Sequence, residues 1–163
     1  MRIYDIRTGE EKAVIAKHDN ATIRAVCFEP DNSKLLIHED NSVYYTLYEY
    51  DVETGVELNS LRLPIESEYM SLSSAKTLFN TLRNQIIICY STTKEEKYAW
   101  FIDMDSFKIV AETNDRSECF MTFIEETQEM LLKVSGKELG AYPYLTTSEL
   151  IERAEDLIKK NEQ

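Results

Sequence analysis

Apolar and polar positions along this chain divide it into short β-rich runs separated by turn formers. "TIRAVCF" (22–28) is an apolar strand, and "EPDNS" after it supplies Pro30, Asp31 and Asn32 for a tight turn. "KLLIH" forms a second run, "EDNS" a second turn, and "VYYTLYEYD" a run of the tyrosine, threonine and leucine that pleated surfaces favour. With "VELNSLRLP" this makes four short strands joined by hairpins. A looser unit follows: "EYMSLSS", "NQIIICYS", "YAWFIDM" and "FKIVAET". Its "AKTLFNTLR" stretch is longer than a hairpin needs and predicts a helical turn. "ECFMTFI" and "EMLLKVS" flank a turn at "EETQ". Gly136 and Gly140 then bracket a short strand, and Pro143 fits only its edge or end.

The period changes over the last residues, 146–163, "TTSELIERAEDLIKKNEQ". Thr146 and Glu149 have capping-box spacing, and Leu150, Ile151, Ala154, Leu157 and Ile158 form one stripe at helical spacing. Acidic residues crowd the start and Lys159 and Lys160 the end, as the helix dipole prefers. A lone helix of this length is marginal in water, so the stripe is expected to dock on the sheet before it. The sharper alternative is that the same five residues enter a partner's groove.

One turn recurs. Asp5 ends a strand in "IYDIRTGE", Asp51 in "EYDVETGV" and Asp103 in "FIDMDSFK". The spacings are 46 and 52 residues, close to the ~40–50 residues of a four-stranded propeller blade. Gly9 and Gly55 supply the positive φ that a tight hairpin needs. The third copy lacks the glycine, which predicts a turn of another type there.

These residues resemble the WD-repeat family of β-propellers. "KHDNATIRAVCFEPDNSKLL…YEYDVETG" carries the likeness. His18 stands at the family's Gly-His dipeptide, with Lys17 for the glycine. "FEPDN" is similar to its Phe-Ser-Pro-Asp-Gly turn, and Tyr4 and Tyr50 replace the tryptophan of its Trp-Asp ending. Residues 18–56 carry the likeness most strongly, and the closing helix resembles the tail of many bacterial WD-repeat proteins. The resemblance implies an all-β fold. Residues 1–145 would form antiparallel four-stranded blades of a partial β-propeller, about three and a half in all. One C-terminal α-helix over 146–163 would pack on the last blade. The strand count runs two, four, four and roughly three, as in the C-terminal part of a longer propeller. A fragment, or pairing with a second chain as a homo-oligomer, is the expected state, because exposed sheet faces and edges invite association. Asp5, His18, Asp40, Asp51 and Asp103 are then structural repeat positions, with Asp40 as candidate partner of His18.

The formal net charge of −12 repels nucleic acid and anionic membranes and suits solubility or a basic protein partner. Cys27, Cys89 and Cys119 lie in apolar runs, with neither disulfide nor zinc spacing. They read as buried free thiols in a reducing compartment. The N-terminus has no apolar segment of signal-peptide length, and no run spans a bilayer, which points to a soluble, cytoplasmic protein.

Candidate chemistry is thin. The two histidines, His18 and His38, have no Gly-x-Ser-x-Gly elbow to serve. The acids of "ESE", "KEEK" and "IEETQE" fall in polar turns, and no acid reads as buried within an apolar strand, where its pKa would be raised. "DMDS" and "EDNS" give fragments of a calcium loop, which turn aspartates capping their own backbone explain more simply. Glycine loops for phosphate are absent, and four glycines could hardly build one. No catalytic, cofactor or metal residue is assigned. The expected function is a non-catalytic protein–protein interaction or scaffold module. The alternative is a small acidic inhibitor or immunity-type protein that blocks a basic partner site.

Overall fold

A computed structural model describes residues 1–16, 18–41, 43–66, 70–92, 97–115, 118–134, 139–145 and 147–161. The chain is all-β with one terminal helix. Strands β1 (Arg2–Tyr4) and β2 (Glu11–Val14) form a two-stranded sheet. β3 (Thr22–Phe28), β4 (Lys34–Asp40), β5 (Tyr44–Asp51) and β6 (Glu57–Glu66) form a four-stranded one. A second four-stranded sheet holds β7 (Met70–Asn80), β8 (Gln85–Thr92), β9 (Lys97–Asp103) and β10 (Lys108–Asp115). The last has β11 (Glu118–Ile124), β12 (Glu129–Val134) and β13 (Leu139–Pro143), followed by helix α1 (Thr147–Asn161). Every pairing is antiparallel between chain neighbours.

The sheets cover one another in chain order. Ile3, Ala13 and Ile15 pack on Leu35, Ile37, Tyr50 and Val52, joining the first sheet to the second. Leu36, Tyr45, Leu47 and Leu63 meet Ile86, Ile88, Trp100, Ile102 and Phe107, joining the second to the third. Ile87, Ala99 and Phe101 meet Phe123 and Tyr144, joining the third to the fourth. Alternate residues of β4, β8 and β9 therefore serve opposite clusters. This explains why "LLI", "III" and "AWFI" are continuous apolar runs rather than alternating ones. Such a multi-sheet antiparallel stack is compatible with a propeller-like arrangement.

Equivalent hairpins repeat in detail. Asp5 Oδ1 accepts from the Arg7 and Thr8 backbone N–H groups, at 2.8 and 3.0 Å. Asp51 Oδ1 accepts from the N–H and hydroxyl of Thr54, both at 2.7 Å. Asp103 Oδ1 accepts from the N–H and hydroxyl of Ser106, at 2.7 and 2.6 Å. Four residues beyond each aspartate the backbone turns left-handed: Gly9 at φ 75°, Gly55 at 70° and Phe107 at 50°. The third turn is thus not of another type. Phe107 takes the glycine's place, and its ring is buried in the cluster between the second and third sheets. The other hairpin type also repeats. Asn32, Asn84 and Gln128 hold φ of 61°, 51° and 54°. The N–H groups of Val52, Met104 and Tyr144 donate to the carbonyls of Ser33, Asn84 and Gln128.

Two expectations change in extent. "AKTLFN" continues β7, and only Thr81–Arg83 make a 3₁₀ turn. The apolar stripe of α1 does not pack on the last sheet. Leu150, Ile151, Leu157 and Ile158 are 53–58% exposed, and Ala154 is exposed between them. Among the described residues, the contacts of α1 with the sheets lie at its first turn. Arg83 donates to both carboxylate oxygens of Glu149 at 3.0 Å, to the Tyr144 carbonyl at 3.2 Å and to Gln128 Oε1 at 3.1 Å. The stripe of this fifteen-residue helix is left open. The Thr146 cap and the Gly136 position lie outside the described residues.

Candidate functional site

The sheet β3–β6 carries polar side chains at buried positions on both faces. Glu39 follows Leu35 and Ile37 at strand parity, so β4 turns it toward the face that meets β1–β2. It is 3% exposed. Its Oε2 lies 2.9 Å from His18 Nδ1, while His18 Nε2 lies 3.4 Å from Glu57 Oε2. The imidazole stacks on Tyr48, with ring centres 4.3 Å apart and planes at 17°. His18 is therefore gripped by two carboxylates and an aromatic ring. Asp40 is not its partner: Asp40 Oδ2 accepts from Arg24 Nη2 at 2.7 Å and from Nε at 3.1 Å. Both ring nitrogens of His18 face carboxylates.

This group walls a cavity of about 190 Å³, lined by His18, Asp19, Ala21, Glu39, Asn41, Tyr44, Thr46 and Tyr48. Its volume suits one long side chain, and two carboxylates and two phenol rings face it. Apart from His18, the described residues of the lining include no basic one. The Arg62 guanidinium already lies 4.0 Å over the Tyr44 ring, so one tyrosine here stacks with a cation of the same chain.

The opposite face of the sheet holds a second acid cluster. Glu49 shares strand parity with Tyr45 and Leu47 and is fully buried, and Glu29 is 4% exposed. Lys34 Nζ donates to Glu49 Oε1 at 3.0 Å and lies 3.9 Å from Glu29, while Asn59 Nδ2 donates to Glu49 Oε2 at 2.6 Å. Burial, then the Glu49 carboxyl, pushes the Glu29 pKa up to about 7, against the pull of Lys34. Glu39 and Glu49, buried within β4 and β5, thus correct the expectation that no acid is buried within an apolar strand. The signal was the parity of "TLYEYD", which puts Glu49 on the same side as Leu47.

His38 is buried on β4, on the same side as Leu36, and its Nε2 is 3.1 Å from the Thr77 hydroxyl of the next sheet. Burial drives its pKa down to about 4. Cys27 and Cys89 form no disulfide and are half-buried, and burial raises the Cys27 thiol. The Cys119 side chain lies outside the described residues.

Asp5, Asp51 and Asp103 occupy matching turn corners away from the cavity. Hydrogen bonds from Thr8, Thr54 and Ser106 respectively lead in holding each below the usual carboxylate range. The five stripe residues lie on α1, on another element from the cavity. Among the described residues, no group of three or more His, Cys, Asp or Glu side chains is placed to hold a metal ion. No helix among them is long and apolar enough to cross a membrane. No protein-family model and no curated protein sequence matches the chain.

Proposed function

We propose that the chain is a cytoplasmic, non-catalytic protein–protein interaction module of WD-repeat propeller type, which receives a basic side chain of its partner in the cavity beside His18. The cavity carries this reading: Asp19 and Glu39 supply negative charge, Tyr44 and Tyr48 supply aromatic walls, and the volume fits a lysine or arginine. The repeated aspartate corners and the stack of antiparallel sheets support the propeller assignment. The net charge of −12 draws a basic partner toward the surface. His18, held by Glu39, Glu57 and Tyr48, shapes the wall and performs no proton transfer.

Titration with short arginine-containing peptides, and with matched peptides in which citrulline replaces arginine, tests the reading. Arginine peptides bind at least about tenfold tighter at low salt, and the preference shrinks as salt screens the charges. Asp19 is exposed, so Asp19→Lys leaves the fold intact and abolishes the preference. Equal binding of both peptides, or an arginine preference that survives Asp19→Lys, contradicts the reading.

The same acidic surface favours a second reading, an acidic inhibitor or immunity-type protein that blocks a basic partner site. In that case the partner loses its own activity when bound, whereas a scaffold leaves it active.

A further inference from the structure

The exposed stripe of α1 is symmetric about its own centre. Leu150 and Ile151 precede Ala154 by four and three residues, and Leu157 and Ile158 follow it by three and four. At 100° per residue Ala154 also lies at the middle of the stripe's width. A pattern that reads the same in both directions complements itself when two helices lie antiparallel across a two-fold axis. We propose that α1 pairs antiparallel with α1 of a second copy of this chain, with the axis passing beside Ala154.

In that pairing Ala154 meets its own counterpart, Leu150 lies against Leu157 of the other copy, and Ile151 lies against Ile158. The small methyl at the crossing lets the axes approach to the near end of the 8–10 Å range for packed helices. The helix ends favour this direction: Glu149 stands in the first turn and Lys159 and Lys160 in the last, so antiparallel pairing brings Glu149 near the other copy's Lys160, whereas parallel pairing sets the lysines of the two copies together. Arg153 and Glu155, which flank Ala154, each face their own counterpart, which weakens the dimer. The stripe is free to do this: its four large side chains are 53–58% exposed, and the Arg83 contacts hold only the first turn. One short helix per copy buries less than the ~1,200 Å² of a standard stable interface, so the dimer is weak and concentration-dependent.

Sedimentation equilibrium of the whole chain, from micromolar to millimolar concentration, reads the pairing. The mass rises from 19.0 kDa toward twice that value. Ala154→Glu and Ala154→Lys both keep good helix formers at the position and leave helical circular dichroism unchanged. Each variant alone weakens dimerisation at least about tenfold, because like charges meet on the axis. An equimolar mixture of the two restores it, a rescue that only contact of residue 154 with itself produces. The proposal is overturned by a wild-type mass fixed at one chain, by a dimer that both variants leave intact, or by a mixture as monomeric as its parts. Binding of α1 to phosphatidylglycerol vesicles without self-association also overturns it.

Discussion

Glu29 and His38 lie on the same face of the second sheet, yet burial drives their titrations in opposite directions. The Glu29 pKa rises to about 7 from an ordinary value of 4.5. Between those values the native state binds more protons than the unfolded chain, so this residue makes stability fall as pH rises. The His38 pKa falls to about 4 from 6.5, so between those values the unfolded chain binds more protons and stability rises with pH. The two slopes oppose each other over much of the mildly acidic range, and a substitution separates them. Glu29→Gln keeps a neutral hydrogen-bonding group. It is expected to raise the thermal midpoint above wild type at pH 8 and to leave it unchanged at pH 4.5. Thermal melts across this range check the prediction, and equal destabilisation at both ends contradicts it. Neither group was legible from composition, because desolvation depends on the sheet that packs above. Strand parity left a local trace for His38, which "LLIHE" aligns with Leu36, and for the neighbouring buried acids: "TLYEYD" aligns Glu49 with Leu47, and "LLIHE" aligns Glu39 with Leu35 and Ile37.

At the scale of elements, turns were the most legible part of the chain, because their chemistry is local. Asp5, Asp51 and Asp103 announce their hairpins through a carboxylate that bonds the next few residues. Phe107 shows where local reading ends. A phenylalanine at φ 50° is disfavoured by about 1–2 kcal/mol, and the sequence therefore predicts another turn. Burial of the ring against the neighbouring sheet, a distant contact, offsets that cost. Phe107→Gly relieves the backbone but removes an aromatic group whose truncation typically costs about 3–5 kcal/mol. The net expectation is a loss of about 2 kcal/mol, read from the urea midpoint; a gain in stability would mean that the ring contributes little. The apolar stripe of α1 was equally plain, but its surroundings were not. Periodicity finds an amphipathic face without saying what covers it. Among the described residues, Arg83 holds Glu149 in the first turn, and the stripe itself is exposed.

For the molecule as a whole, the sheets hold two, four, four and three strands, the count that the turn spacing together with the propeller resemblance implied. The order of stacking follows from it, because each sheet can hide its apolar face only against a neighbour. β4, β8 and β9 are covered on both sides, while the β1–β2 sheet gives a single cluster to the core. Native-state hydrogen exchange tests this stack most directly. The amides of Ile86–Ile88 and Ala99–Ile102 should exchange slowest, and only through global unfolding, while those of β1 and β2 exchange through smaller openings. Equal protection of β1–β2 and of β8–β9, or early exchange in β8 and β9, would contradict it.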